Sequence, residues 1–353
     1  MWAMRMKREE RGARGALWRI AGALLVALLY GPPVLAAEDP STANPAPQAQ
    51  PQPGLTVDSL SVVKVHARVV SNARSMRTLG PEREGTGVVI DSNGLVLTIG
   101  YLIMEAETVD LVTADGRSFP AAVIGYDYAT GFGLLRALRP LPVKPVQIGQ
   151  SSTVADRDLV LIVGYDGVAP AYVVSRRPFV GYWEYLLDEA IYTAPATVNW
   201  SGAALLSREG KLLGIGSLVV SDAMGARSQV PGNLFVPIDL LKPLLGDLIA
   251  IGKSSARPRP WIGVNTQEVQ GNVIVTRVSP ESPADDAAIR AGDVIVGIAG
   301  QSIKGQADFY NRLWSQGEAG VEIPLEVLRD GRVEKIPVKS IDRDRYFRPK
   351  PTL

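Results

Sequence analysis

The sequence predicts a mainly β protein with two folded units, on three observations. Short runs rich in β-branched residues, separated by turn dipeptides, fill residues 55–250. A second set of such runs, interrupted by two segments with helical periodicity, fills residues 261–341. The 353 residues include no cysteine and one histidine, so neither unit depends on disulfides or on a Cys/His zinc site.

The N-terminal segment has the pattern of a secretory signal. Six Lys/Arg side chains precede the apolar run Ile20–Tyr30, and small residues follow up to Ala36 and Ala37. This predicts a cleaved signal peptide over residues 1–36 and a periplasmic or secreted protein. An uncleaved segment extended back through Ala16 is the alternative, and it would anchor the protein to the inner membrane.

Residues 37–54 are rich in Pro, Ala and Gln and contain almost no large apolar side chains. This composition predicts an extended linker, because such a segment cannot bury a core. The formal net charge is +1, and the signal segment, with six Lys/Arg and two Glu, contributes +4 of it, so the rest of the chain carries −3 and bulk charge gives no attraction to nucleic acid.

The first folded unit, residues 55–250, reads as antiparallel β structure. Two-residue alternation over this length favours barrels or a sandwich. Asn93-Gly94 and Asp115-Gly116 are predicted hairpin turns with both residues at positive φ. A helix is predicted from Ile238 to the end of the unit. The predicted strands are VVKVHARVV, GTGVVI, LVLTI, TVDLVTA, SFPAAVIGY, LVLIVGY, AALLS and KLLGIGSLVV.

A linker at 251–260 leads to the second unit, and a tail at 342–353 follows it. Asp330-Gly331 predicts a hairpin between its last two strands. Ser282, followed by Pro283, is a predicted helix N-cap, and nearby acidic residues are interpreted as helix-start charges. The predicted strands are NVIVTRV, VIVGIA, VEIPLEVLR and RVEKIPVK, and the predicted helices are SPADDAAIRAG and QADFYNRLWSQG.

Several strings occur in the order and spacing of one known family. In the first unit they are GTGVVIDSNGLVLT, ADGRSFPAAVIGYD, SGAALLSREGKLLGI and NLFVPIDLLKPLL, and in the second WIGV, SPA, IRAGDVIVGIAGQSI and VLRDGR. The chain therefore resembles the HtrA/Deg family of periplasmic serine proteases. The resemblance implies a chymotrypsin-like double β-barrel over 55–250 and a small α+β PDZ domain over 261–341.

The resemblance also identifies three catalytic slots, of which two hold the wrong residue type. Tyr101 stands where the family has its histidine, and Gly131 where it has the aspartate that orients the histidine. Ser201 is the surviving triad residue, in NWSGAA instead of GNSGGP. A serine hydroxyl needs a base, and a tyrosine with a pKa of about 10 is protonated at neutral pH. The sequence therefore predicts a degenerate site.

Two further features bear on residual activity. The oxyanion hole would use the amides of Ser201 and Asn199, the latter replacing a glycine, and Trp200 beside them would take up substrate space. The single histidine, His66, lies on the predicted solvent face of the first strand and outside the catalytic slots.

The resemblance predicts that the PDZ peptide groove is the surface through which the protein binds its ligands. Trp261, Ile262, Gly263 and Val264 match the carboxylate-binding loop, in which successive amides turn inward on a terminal carboxylate. The helix beginning at Ala307 would form the opposite wall. Its groove candidates are Phe309 and Leu313, while Tyr310 and Trp314 are the next pair, and packing is the more common role for such aromatics in a small domain.

The leading hypothesis is an exported HtrA-like pseudoprotease that binds peptide or protein C-termini through its PDZ domain, as a scaffold or quality-control factor. The alternatives are an active serine endopeptidase using Ser201 with an unrecognised base, and a chaperone-like holdase. Neither metal nor cofactor is expected. The resemblance implies a homotrimer or an assembly with an active HtrA-like protease, and membrane association only if the signal segment is uncleaved.

Overall fold

The computed structural model of the chain describes residues 60–225 and 228–347. The predicted signal peptide and the 37–54 linker lie outside the described residues, as does the end of the tail from residue 348.

The first six strands form a closed antiparallel barrel in the order β1-β2-β3-β6-β5-β4. Short helical segments α1 (Met76–Leu79) and α2 (Gly100–Ile103) lie in the connections. The alternating apolar side chains of the six strands fill the interior of the barrel, where Phe132 and Leu134 are fully buried. The strands are β1 (Val62–Val69), β2 (Glu82–Val89), β3 (Leu95–Ile99), β4 (Ala106–Val112), β5 (Ser118–Tyr126) and β6 (Phe132–Ala137).

The next seven strands form a sheet in the order β11-β8-β9-β10-β13-β12-β7. Strand β11 pairs with both β8 and β12, so six of these strands close into a second barrel. The double β-barrel expected from the resemblance is thereby confirmed. The strands are β7 (Gln147–Ile148), β8 (Leu159–Gly164), β9 (Gly167–Gly181), β10 (Tyr185–Ala194), β11 (Ala204–Leu206), β12 (Lys211–Val220) and β13 (Gly232–Pro237).

Two of the predicted hairpin turns differ from the expected type. At Asn93-Gly94 and at Asp115-Gly116 the glycine alone has positive φ, so these are not tight turns with two left-handed residues. The Asp91 carboxylate accepts from the amides of Asn93 and Leu95, and this side chain closes a longer turn. Asp330-Gly331 does adopt positive φ at both positions, as predicted.

The helix predicted from Ile238 is broken into two pieces. A short 3₁₀ turn, Ile238–Leu240, is followed by α3 (Leu245–Ile251). Pro243 lies between them and cannot donate the backbone hydrogen bond that a continuous helix needs. Gly252 ends α3 in the left-handed conformation, with its amide donating to the Leu248 carbonyl.

The second unit is a sheet in the order β14-β15-β16-β18-β19, with β17 added beside β16 and β14 at an edge. Ser282 caps α4 through its side chain, as predicted, although α4 is a single turn. The elements are β14 (Val264–Val269), β15 (Asn272–Val278), β16 (Val294–Ile298), β17 (Gln301–Ser302), β18 (Glu322–Arg329) and β19 (Arg332–Lys339), with α4 (Pro283–Asp286), α5 (Gln306–Ser315) and α6 (Arg343–Phe347).

Candidate functional site

Ser201 lies in the turn that precedes β11, held against strand β2. Its carbonyl accepts a hydrogen bond from the Thr86 amide at 2.8 Å. The following residue, Gly202, has φ +73°, and a Cβ there would lie 2.0 Å from the Thr86 carbonyl oxygen. Because only glycine fits this position, the backbone fixes where the serine side chain is presented.

The Ser201 hydroxyl is hydrogen-bonded to a phenol. Tyr101, in α2 directly after β3, has its Oη 2.9 Å from Ser201 Oγ and 2.9 Å from the Ser217 carbonyl oxygen. A phenol carries one proton and a carbonyl oxygen only accepts. The Tyr101 hydroxyl is the donor in both contacts, so its one proton is given to Ser201 Oγ or to the Ser217 carbonyl at any one time. In either case the group beside the serine hydroxyl is a protonated phenol, which has little basicity.

Burial raises the pKa of Tyr101 to about 12, although its hydrogen bond with Ser201 acts in the opposite direction. At pH 7 about one phenol in 100,000 would be ionised, so the basic form is essentially unpopulated. Tyr101 therefore satisfies the serine hydroxyl without activating it.

Gly131, the position predicted for the orienting carboxylate, is surrounded by backbone and by another tyrosine. Gly131 has φ +85°, and its carbonyl accepts from the Gly100 amide at 2.7 Å. A Cβ at Gly131 would lie 3.3 Å from the hydroxyl of Tyr185, which itself donates to the Thr130 carbonyl at 2.7 Å. An aspartate here would have both an unfavourable φ and a crowded position.

The cleft over Ser201 remains open. A cavity of about 360 Å³ is bounded by the turn carrying Asn199, Trp200 and Ser201. Within the described residues, neither the Asn199 amide nor the Ser201 amide donates a hydrogen bond. Asn199 does not adopt positive φ, and its side-chain amide donates to Asp166. Trp200 lines the cavity with its indole N–H donating to Ser217, at 3.2 Å from the carbonyl oxygen.

His66 contributes nothing to this cleft in the described structure. It lies on β1, half-buried, with Nε2 3.9 Å from the Glu82 carboxylate. The hydrogen-bond partner of Ser201 Oγ is Tyr101.

The second site is a loop of three backbone amides that converge on one carboxylate. The amides of Ile262, Gly263 and Val264 lie 3.2, 2.7 and 3.0 Å from the carboxylate oxygens of Glu184. Gly263 has φ +90°, and a Cβ there would lie 2.3 Å from the Ser282 Cβ. The carboxylate belongs to the same chain, at the connection between β9 and β10 of the second barrel.

The comparisons with known proteins match both units. Residues 85–215 match the trypsin-like peptidase domain family, and residues 260–339 match the PDZ domain family. Relatives that are described as serine proteases match this chain over most of its length. The chain belongs to the HtrA/Deg family.

Among the relatives of this HtrA/Deg chain, the putative serine protease HhoA of Synechocystis is 28% identical over 287 residues, covering 73% of the chain and 70% of the relative. The periplasmic pH-dependent serine endoprotease DegQ of Escherichia coli is 28% identical over 273 residues, covering 72% of the chain and 58% of the relative. The match thus spans little more than half of DegQ. A solved serine-to-alanine variant of the HtrA-type protease AlgW with a tripeptide shares the fold, with a TM-score of 0.50 and 21% identity over 83% of this chain and 95% of that one.

The residues predicted for the PDZ groove of this HtrA/Deg chain differ in whether they supply amides to the loop. Ile262, Gly263 and Val264 supply the converging amides, whereas the Trp261 amide donates to Ile341 instead. Phe309 and Leu313 are fully buried in the PDZ core. Sequence reasoning missed Glu184, at the connection between β9 and β10, and the PDZ groups that contact the same connection, which are the Thr266 amide, the Gln306 side chain and the Tyr310 hydroxyl.

Two further properties of the HtrA/Deg chain concern what its described part does not contain. No cluster of three or more His, Cys, Asp or Glu side chains with the geometry of a metal site occurs among residues 60–225 and 228–347. Across the same residues, no helix has the length and apolar character required to span a bilayer.

Proposed function

We propose that this HtrA/Deg chain is an exported pseudoprotease that binds peptides or protein partners through its PDZ domain. The observation that carries the proposal is the hydrogen bond between Ser201 Oγ and the Tyr101 phenol at 2.9 Å. A triad serine must lose its proton during attack, and this neighbour cannot take it.

The size of the expected loss in turnover supports an inactive protease site. Removing the histidine alone from a serine protease triad lowers turnover by about a millionfold. Here the orienting carboxylate is also absent, because Gly131 has no side chain and Tyr185 approaches its Cα. The open cleft and the free Asn199 and Ser201 amides would still allow a peptide to bind without being cleaved.

The PDZ loop supports the binding role. Consecutive backbone amides that converge on a carboxylate form the kind of site that captures a peptide terminus, and an edge strand beside it accepts an extended peptide by β-addition. Both features are present, the amides at 262–264 and the sheet edge at β14.

The location in this proposal is supported by a relative and by the N-terminal sequence. DegQ of Escherichia coli is described as periplasmic, and the N-terminal pattern of this chain is typical of a signal peptide, which supports a periplasmic or secreted location. A homotrimer, or an assembly with an active HtrA-like protease, would let it act in protein quality control without cleaving chains itself.

The deciding experiment compares hydrolysis of unfolded casein by the exported protein and by its Ser201→Ala variant, with DegQ of Escherichia coli as the active standard. We expect equal background rates for the two forms and no labelling of Ser201 by a fluorophosphonate, since labelling requires an activated hydroxyl. A rate that disappears with Ser201→Ala would overturn the proposal in favour of a serine endopeptidase with another base.

A holdase is the second candidate, favoured by the open cleft beside Ser201. It predicts suppression of the aggregation of an unfolded protein that is unchanged by Ser201→Ala. Suppression that is lost when Gly263 is substituted would be assigned to the PDZ loop. Suppression that persists would be assigned to the barrels.

A further inference from the structure

The amide loop of the PDZ domain already holds a carboxylate from the same chain. Glu184 is 5% exposed and accepts three consecutive backbone hydrogen bonds from residues 262–264. A terminal carboxylate of a peptide would use the same donors. An external carboxylate and Glu184 therefore cannot occupy the loop together.

The backbone around Glu184 is also held, by both walls of the groove. We call residues 181–184 the hairpin tip. The Thr266 amide, on edge strand β14, donates to the Tyr182 carbonyl at 2.8 Å. From helix α5, the Tyr310 hydroxyl donates to the Gly181 carbonyl at 2.8 Å and accepts from the Glu184 amide at 3.2 Å. The Thr266 amide is an edge-strand donor that an added peptide strand would otherwise engage.

Apolar contacts extend the same interaction. Val180 and Leu186, which flank the hairpin tip, are partly buried against the PDZ core formed by residues such as Phe309 and Leu313. The hairpin thus brings a carboxylate, a backbone carbonyl and apolar side chains to the groove together. These are the three kinds of contact that define a PDZ ligand.

The arrangement has an energetic cost that the hairpin alone does not explain, which is the burial of the Glu184 carboxylate. The φ of +55° at Glu184 is not part of that cost, because Gly181 pairs with Tyr185 and the third residue of such a three-residue hairpin loop is usually left-handed. The buried carboxylate is satisfied by neutral amides, with the positive charge of Arg343 acting at longer range. A hairpin tip in solvent would not bury this group, so the contacts with the groove must offset the cost of burial.

From this geometry we propose that the resident ligand of the PDZ loop is Glu184 on the hairpin tip, and that a peptide with a free carboxyl terminus binds only by displacing it. This inference rests on the proposed peptide-binding function and specifies its ligand chemistry. The groove accepts a side-chain carboxylate presented by a turn, and an external terminal carboxylate competes for the same three amides.

The test measures peptide affinity with and without the internal carboxylate. The probe is a pool of fluorescein-labelled decapeptides of random sequence with a free C-terminal valine, beside the same pool with an amidated terminus. The proteins are wild type, Glu184→Gln and the control Asp188→Asn. The control removes an exposed acidic side chain from strand β10 of the same hairpin. Binding is followed by fluorescence anisotropy.

If the hairpin tip occupies the groove nearly all the time, Glu184→Gln should lower the apparent Kd for the free-carboxyl pool by about tenfold or more. The control should match wild type, and the amidated pool should bind none of the proteins. Equal affinity for wild type and Glu184→Gln would overturn the competition while leaving peptide binding intact. Failure of the pool to bind either protein would overturn both the competition and the proposed function.

A second measurement needs no substitution and covers the case in which Glu184→Gln does not fold. Hydrogen exchange of wild-type amides is followed with and without a saturating concentration of the free-carboxyl pool. Displacement predicts faster exchange at the Glu184 amide, which would lose its Tyr310 acceptor. Peptide binding with unchanged protection of the hairpin tip would contradict the proposal.

Discussion

The cleft at Ser201 is open, whereas the amide loop at Gly263 is occupied by a side chain of the same chain. In the cleft, the side chain beside the Ser201 hydroxyl is the Tyr101 phenol, and Gly131 has no side chain. In the groove, all three amide donors are present and satisfied by Glu184.

The difference follows from what each site is made of. A catalytic triad consists of side chains, so two substitutions remove its chemistry while the fold persists. A carboxylate loop consists of main-chain N–H groups, which every residue other than proline provides, and depends on side chains only where Gly263 must adopt φ +90°. Binding can therefore outlast catalysis in the same chain.

The two regions are linked by adjacent residues of the β9–β10 hairpin, the last residue of its loop and the first residue of β10. Glu184 lies in the groove, and Tyr185 donates to the Thr130 carbonyl beside Gly131. Trp183 stacks on Tyr185 with ring centroids 5.4 Å apart. The same hairpin thus contacts the PDZ domain and fills the space next to Gly131.

The largest expected effect concerns the cleft. Restoring the base alone, with Tyr101→His, should leave casein hydrolysis about 10⁴-fold or more below that of DegQ, because no carboxylate orients the new imidazole. Tyr101→Phe is the matched control that also removes the phenol. Hydrolysis by Tyr101→His within tenfold of DegQ would show that the missing base was the sole defect.

The next effect concerns the groove. Gly263→Ala should lower the free energy of unfolding of the PDZ domain by about 3 kcal/mol, since its Cβ would overlap Ser282 and φ would be unfavourable. Gly271→Ala is the control, with φ +79° but open space around its Cβ, and should cost about 1 kcal/mol. Chemical denaturation measures both, and equal losses would mean that the close approach to Ser282 is unimportant.

The third effect is a pH dependence of stability. Burial raises the pKa of Glu184 from 4.5 to about 7, against the opposing effects of the three amides and Arg343, with the Tyr310 hydroxyl also facing it. The folded state then retains a proton that the unfolded chain releases. The contribution is fully present below pH 4.5 and is lost as pH rises to about 7.

Relative to Glu184→Gln, wild type should therefore lose about 3 kcal/mol of stability between pH 4.5 and pH 8. Denaturant unfolding of both proteins across this range measures the difference. A difference that is constant with pH, or that grows in favour of wild type as pH rises, would show that the buried carboxylate is already ionised at low pH.

The smallest effect is that of Tyr101→Phe on stability. Ser201 Oγ would lose its partner, while the Ser217 carbonyl would keep the indole N–H of Trp200. A loss of about 1 kcal/mol is expected from thermal unfolding. Tyr172→Phe, with a side chain 53% exposed, should change the stability by less than about 0.5 kcal/mol. A cost at Tyr101 no larger than at Tyr172 would mean that the phenol contributes nothing to the site.

Much of the fold was predictable from local patterns. SFPAAVIGY and KLLGIGSLVV form β5 and β12 with the predicted bounds. The residues of β9 and β10 were not predicted as strands, although YVVSRRPFVGY and YLLDEAIYTA are rich in β-branched and aromatic residues. The charged residues within these runs obscure the alternation, and this hairpin carries Glu184.

The sequence by itself determined the family and the order of the two domains, because these depend on which residue occupies a given position along the chain. Only the tertiary structure decided that Glu184 meets the amides of residues 262–264, which follow it by 78 to 80 residues. Local pattern carries no signal for such a contact. It arises because the packing of the β9–β10 hairpin against the PDZ domain brings a carboxylate to donors that only the folded backbone aligns.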